Sequence, residues 1–187
     1  IRLAPVDDPY HRTPNWRKPY PAREGEELKV LVNRAKENNV IFYWAIHPGQ
    51  DIRWNEEDRS LLLQKFESMY QLGVRGFAVF FDDISGEGTK ADKQAELLNY
   101  IDDHFVKVKR DVAPLILCPT EYNKSWTDVE GGYLTTLGDK LNEGIKVMWT
   151  GDMVVATIDK STLDFVNPLL KRKAYIWWNF PVSDYVQ

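Results

Sequence analysis

The chain comprises 187 residues, 43% apolar and 28% charged, with 11 Gly and 10 Pro, the make-up of one globular domain large enough to bury a core. It offers no run of eighteen apolar residues to span a membrane, and its single cysteine, Cys118, rules out an internal disulfide and a cysteine-based zinc site. A net charge of −4, with 24 scattered Lys and Arg, argues against a nucleic-acid partner. The opening Ile1-Arg2-Leu3-Ala4-Pro5 is too short, and the stretch after Pro5 too polar, to read as a signal peptide. Seven Trp, nine Tyr and eight Phe suit core packing, and flat apolar faces of this kind also suit a carbohydrate site.

In chain order, residues 14–25 read as a proline-rich irregular segment. Leu28, Leu31, Val32 and Ala35 then recur at helical spacing, and residues 40–46 form an apolar run closed by His47-Pro48-Gly49. Asn55 reads as an N-cap followed by acids, Leu62, Phe66 and Met69 as a buried stripe, and Gly73 as the C-terminal stop. A strand over 74–81 comes next, then a helical stripe of Leu97, Leu98, Ile101, Phe105 and Val108, then the run Leu115-Ile-Leu-Cys118. Leu134, Leu137 and Leu141 predict a shorter helix before a strand over 146–150. Leu163, Val166 and Leu170 precede a last strand over 174–179.

These strands are apolar on both faces, as parallel strands under helices should be. Trp44, Phe80, Leu117, Trp149 and Ile176 mark them at steps of 36, 37, 32 and 27 residues. A TIM barrel averages roughly 31 residues per unit, and a doubly wound sheet would show a similar rhythm. Polar and aromatic residues come just after every strand: His47, Asp82-Asp83, Glu121-Tyr122, Thr150-Gly151-Asp152 and Asn179. In a barrel all strand ends meet at one rim, so this pattern favours an α/β fold of the TIM (β/α)8 type. Five clear strands and the tail of a sixth at residues 1–4 predict an incomplete barrel of about five to six βα units.

The strongest local signal is Gly76-Phe-Ala-Val-Phe-Phe-Asp82-Asp83, a buried strand delivering two adjacent carboxylates to its end. Successive strand side chains point to opposite faces, so both acids reach one ligand only if the strand has ended or bulged. Two acids that close push one pKa upward, which gives a proton carrier beside an anion and suits glycoside hydrolysis. The plainer alternative is a helix cap and a solvated loop acid. Asp82, Asp83, Asp152 and His47 could converge on a metal, but His11, His47 and His104 show no ligand spacing, so no metal is expected. Ser85-Gly86-Glu87-Gly88 reads as a flexible loop without the lysine and glycine spacing of a phosphate cradle, and Cys118 as a small pocket-lining hydrophobe.

Four motifs carry a resemblance. Asp82-Asp83-Ile84-Ser85-Gly86, Cys118-Pro-Thr-Glu-Tyr122-Asn123, Met148-Trp149-Thr150-Gly151 and Trp177-Trp178-Asn179-Phe180-Pro181-Val182-Ser183-Asp184 fall in order at successive strand ends. With Trp44-Ala-Ile-His-Pro-Gly-Gln50, the chain from about Asp7 onward resembles the catalytic domain of the family 84 glycoside hydrolases, the bacterial relatives of O-GlcNAcase and hyaluronidase-like β-N-acetylglucosaminidases. The resemblance implies a retaining enzyme that removes terminal β-linked N-acetylglucosamine by substrate-assisted catalysis, the substrate's acetamido oxygen forming an oxazoline.

The resemblance also implies the site. Asp82 accepts the acetamido N–H, and Asp83 serves as general acid and then base. Tyr122 bonds in the acetamido pocket, walled by Cys118, Thr150 and Trp177, while Asn179 and Asp184 hold sugar hydroxyls or the catalytic carboxylate. It implies no cofactor, a GlcNAc-bearing glycoside or glycoprotein as partner, and a secreted or periplasmic bacterial setting. One departure stands out: where the family has Pro-Lys-Asp-Asp, this chain has Pro5-Val6-Asp7-Asp8, so a sugar-hydroxyl contact is missing. Residues 1–187 are accordingly expected to be a single catalytic barrel domain without the family's first and last barrel strands or flanking domains. The alternative is a weakly active or non-catalytic barrel scaffold keeping part of the sugar pocket, and an open barrel of this kind predicts self-association through its exposed edges.

Overall fold

The computed structural model describes residues 2, 3 and 8–177. Six parallel strands alternate with helices: β1 (Arg2–Leu3), α1 (Ala22–Glu37), β2 (Tyr43–Ile46), α2 (Glu56–Gln71), β3 (Gly76–Phe80), α3 (Ala91–Ile101), β4 (Ile116–Cys118), α4 (Tyr133–Lys140), β5 (Lys146–Trp149), α5 (Lys160–Leu170) and β6 (Tyr175–Ile176). The sheet order is β1-β2-β3-β4-β5-β6 with every neighbouring pair parallel. A doubly wound sheet must reverse its order at a switch point, and this one never does. The described strands therefore adopt barrel winding, as the rim pattern predicted.

Strand alternation sorts the side chains into two layers. Trp44 and Ile46, Phe77, Val79 and Phe81, Leu115 and Leu117, and Val147 and Trp149 face the helices and join their buried stripes in the main core. Ala45, Ala78 and Phe80, Ile116 and Cys118, and Met148 form a smaller apolar cluster on the other face, with Tyr122. The next step along that inward phase is His47 just past β2, Asp82 just past β3 and Thr150 just past β5. The period of two thus carries residues from three strands toward one mouth.

Local chemistry sets the helix ends. Asn55 Oδ1 accepts the Asp58 N–H at 2.9 Å and opens α2, while Gly73 takes φ 101° just beyond it. Asp159 Oδ1 caps α5 through the Thr162 N–H at 3.0 Å. Three expectations shift. Residues 14–25 are not irregular throughout, because α1 starts at Ala22 directly after Pro21, whose fixed φ suits a helix entry. Leu31 is 47% exposed, since the stripe of Leu28, Val32 and Ala35 leaves it about 70° off centre. Val108 is 69% exposed because a π turn over Asp102–Val106 inserts a residue, so Phe105 and Val106 take the buried positions.

Candidate active site

β3 ends where its register runs out. The Phe81 N–H still bonds Cys118 O at 2.9 Å, after which Asp83 turns into the left-handed region at φ 52°. Aspartate tolerates that conformation better than most residues. This turn lets adjacent acids serve one site, because Asp82 keeps the inward phase of the strand while Asp83 has left it. The loop beyond is not a loose glycine run. It forms a 3-10 turn over Gly86–Thr89, with Gly88 packed against the Gly49 backbone.

Asp82 is nearly enclosed, with 18% of its side chain exposed. Its Oδ1 has no hydrogen-bond partner among the described residues, although His47 Nε2 stands 3.7 Å away. Burial pushes the Asp82 carboxyl above its ordinary range, against the opposing pull of His47 and of a hydrogen bond from Cys118; the neighbouring Asp83 adds to the rise. The sequence expectation places the anion of the pair here, and burial makes that anion costlier than it would be in solvent.

Tyr122, only 3% exposed, donates from its hydroxyl to Asp83 Oδ1 at 3.1 Å. Burial foremost, then the carboxylate it faces, raises its pKa well beyond the usual phenol range, so it stays a donor. The ring lies 5.7 Å from Trp177 and 4.9 Å from Trp126. Thr150 is buried behind it, its N–H on Tyr122 O at 2.9 Å and its hydroxyl on Met153 O at 2.8 Å. Cys118, fully buried, completes the inner wall. Asp82, Asp83, Cys118, Tyr122, Thr150 and Trp177 thus share one neighbourhood, whereas Asn179 and Asp184, like Val6, lie outside the described residues.

Other predicted residues fall elsewhere. Among the described residues no three His, Cys, Asp or Glu side chains are grouped to hold a metal ion. His104 is exposed on the π turn after α3. Glu121, beside Tyr122, accepts the Asp128 N–H at 3.2 Å, and burial pushes its pKa up to about 7. Sequence reasoning missed Gln94, which is completely buried. Its signal was faint: a polar residue on the buried stripe that it shares with Leu97, Leu98 and Ile101.

A parallel sheet wound in chain order, with paired carboxylates and aromatic rings at its carboxyl ends, defines an α/β fold of the TIM-barrel type. The sequence profile of the β-N-acetylglucosaminidase family matches residues 2–187, and the chain belongs to that family. It is 36% identical over 194 aligned residues to the protein O-GlcNAcase of Rattus norvegicus and to that of Mus musculus, covering 98% of this chain and 21% of each relative. Among solved structures, CpGH84B superimposes with a TM-score of 0.91 at 40% identity, covering 98% of this chain and 34% of that one. A mutant of the Thermobaculum terrenum O-GlcNAc hydrolase does so at 0.88 and 31%, covering 98% and 41%. The chain therefore spans about a fifth of the curated relatives and less than half of these solved chains.

Proposed function

We propose that this chain carries the catalytic site of a retaining β-N-acetylglucosaminidase that removes terminal β-linked N-acetylglucosamine from a glycoside or glycoprotein through an oxazoline. The observation that supports this most strongly is the pairing of Asp82 Oδ1, enclosed and without a donor among the described residues, with Asp83, which leans on the Tyr122 hydroxyl. A buried acceptor without a partner is costly, and a ligand N–H placed there removes that cost.

In the reaction, Asp82 Oδ1 accepts the acetamido N–H and turns the acetamido oxygen toward the anomeric carbon. The oxygen attacks, the glycosidic bond breaks, and Asp83 gives its proton to the departing oxygen. Positive charge developing on the acetamido group favours the Asp82 anion and offsets the burial that disfavours it. Asp83, now a carboxylate, takes a proton from water, whose oxygen attacks the anomeric carbon and reopens the ring with retention. Tyr122 bonds the acetamido group, with Cys118, Thr150 and Trp177 as the walls of its pocket, and Asn179 and Asp184 serve the sugar hydroxyls or the catalytic carboxylate.

Turnover of a fluorogenic aryl β-N-acetylglucosaminide by the purified chain tests this reading. Hydrolysis that persists in chelator and drops about 100-fold or more in Asp83→Asn on a poor leaving group is the expected result. Neither turnover nor binding of an oxazoline-mimicking thiazoline would leave a scaffold in its place.

A further inference from the structure

Three consecutive backbone carbonyls around the acid pair are each held by a side chain from another segment. Phe81 O accepts from the Thr120 hydroxyl at 2.9 Å, Asp82 O from His47 Nε2 at 2.8 Å, and Asp83 O from Gln50 Nε2 at 3.4 Å. A carbonyl can only accept, so His47 carries its proton on Nε2 in this arrangement. The peptide planes on either side of Asp82 are thus gripped by Thr120 and His47.

Thr120 is itself held in a closed circuit. Both amide hydrogens of Gln94 are used, one on Gly88 O at 2.8 Å and one on Thr120 Oγ1 at 2.9 Å. Its Oε1 accepts the Tyr133 hydroxyl, whose oxygen in turn accepts the Thr120 N–H at 2.8 Å. The Thr120 hydroxyl hydrogen is left to bond Phe81 O. Each donor in the circuit has one acceptor, which fixes the amide's orientation and couples both ends of the 81–88 segment to one side chain on α3. Buried networks of this kind are stiff when complete and costly when one link is lost.

We propose that Gln94 is a positioning residue: through Thr120 and Gly88 it fixes the backbone that aims Asp82 and Asp83. The inference rests on reading those two acids as the reacting pair, but it predicts a change in the acids themselves as well as in turnover. A Gln94 that merely satisfies the core would affect stability alone.

The test compares Gln94→Met, Thr120→Val and Thr120→Ser with Ile101→Val, a control that trims the same helix away from the circuit. The carboxyl resonances of Asp82 and Asp83 are titrated by NMR, and kcat and KM are measured on an aryl N-acetylglucosaminide. Gln94→Met and Thr120→Val should move the carboxyl titrations by about half a pH unit or more. They should also lower kcat about 10- to 100-fold with little change in KM, the cost of a slightly misplaced reacting group. Thr120→Ser keeps the hydroxyl and should stay near the parent. Thr120→Val is close in shape to the parent and decides the matter if Gln94→Met fails to fold. Titrations and kcat in both variants no different from those of Ile101→Val would overturn the proposal. Shifted titrations in a chain that hydrolyses no N-acetylglucosaminide would uphold Gln94 and discard the glycosidase reading.

Discussion

The Tyr122 hydroxyl donates to Asp83 Oδ1 across 3.1 Å, joining the end of β4 to the turn after β3. A bond to a carboxylate is worth about 1.5–3 kcal/mol, roughly 10- to 150-fold in rate if it is used in the transition state. Tyr122→Phe should therefore lower kcat on an aryl N-acetylglucosaminide by that factor while the fold, held by a ring that stays in place, melts within a few degrees of the parent. Steady-state kinetics beside a thermal melt checks it, and unchanged kcat would remove Tyr122 from the site.

Leaving-group dependence separates the two acids. A general acid matters most when the departing oxygen is basic, so Asp83→Asn should cost about 10²- to 10⁴-fold on alkyl or sugar leaving groups and far less on activated phenols in the first step. Asp82→Asn acts on the acetamido group and should depress every substrate alike. Equal losses for Asp83→Asn across a phenol series would count against its role as the acid.

Asp82 also has a stability signature. Because burial raises its pKa, the folded state binds the proton more tightly than the unfolded chain does. That stabilisation is complete below the unfolded value of about 3.9 and fades as pH climbs through the higher folded value. Wherever Asp82 ionises, the fold must hold an enclosed carboxylate whose Oδ1 has no donor among the described residues, so Asp82→Asn should melt higher than the parent at pH 7, with the gap closing toward pH 4. A lower melting temperature for Asp82→Asn at pH 7 would show that His47 and Cys118 outweigh burial.

The two glycines under the loop differ in what a methyl group would strike. At Gly88 the added carbon meets the backbone oxygen of Gly49, which cannot swing aside; at Gly49 it meets the Ile84 Cδ1 at 2.6 Å, the end of a flexible side chain. Gly88→Ala should thus cost about 1–3 kcal/mol and reduce turnover, with Gly49→Ala the milder of the two. Urea denaturation of both variants gives the ranking, and the reverse order would mean the loop is free to rise.

Much of the fold was legible in the amino-acid order because periodicity carries it. An apolar run ending in Asp82-Asp83 places a buried strand and its exit, and strands recurring every 27 to 37 residues with polar ends predict one rim. Phase errors escaped where the backbone departs from ideal repeats: the π turn at Asp102–Val106 exposes Val108, which an unbroken stripe would bury. That one acid of the pair is raised was legible from their adjacency, but that burial is the main cause at Asp82 was not, since desolvation depends on which side chains close over a carboxyl. Gln94 was visible only as a polar residue on an apolar stripe, and its partners Thr120 and Tyr133 lie 26 and 39 residues away in sequence.

Glu121 offers a second pH handle, at the rim of the site. Burial pushes its pKa from 4.5 up to about 7, with the Asp128 N–H pulling the other way and the Asp128 carboxylate adding a little. The sign is again that of a raised acid: the stabilising contribution is whole below about pH 4.5 and is lost as pH rises through 7. Thermal melts between pH 4.5 and 8 should therefore show the parent losing stability across neutrality. Glu121→Gln should flatten that loss, because an amide keeps an acceptor for Asp128 without the charge. Since Glu121 adjoins Tyr122, its ionisation near pH 7 should also appear as an alkaline shoulder in kcat that Glu121→Gln abolishes. Parallel melting curves for the two proteins over that range would mean solvent reaches the carboxylate and the titration lies lower.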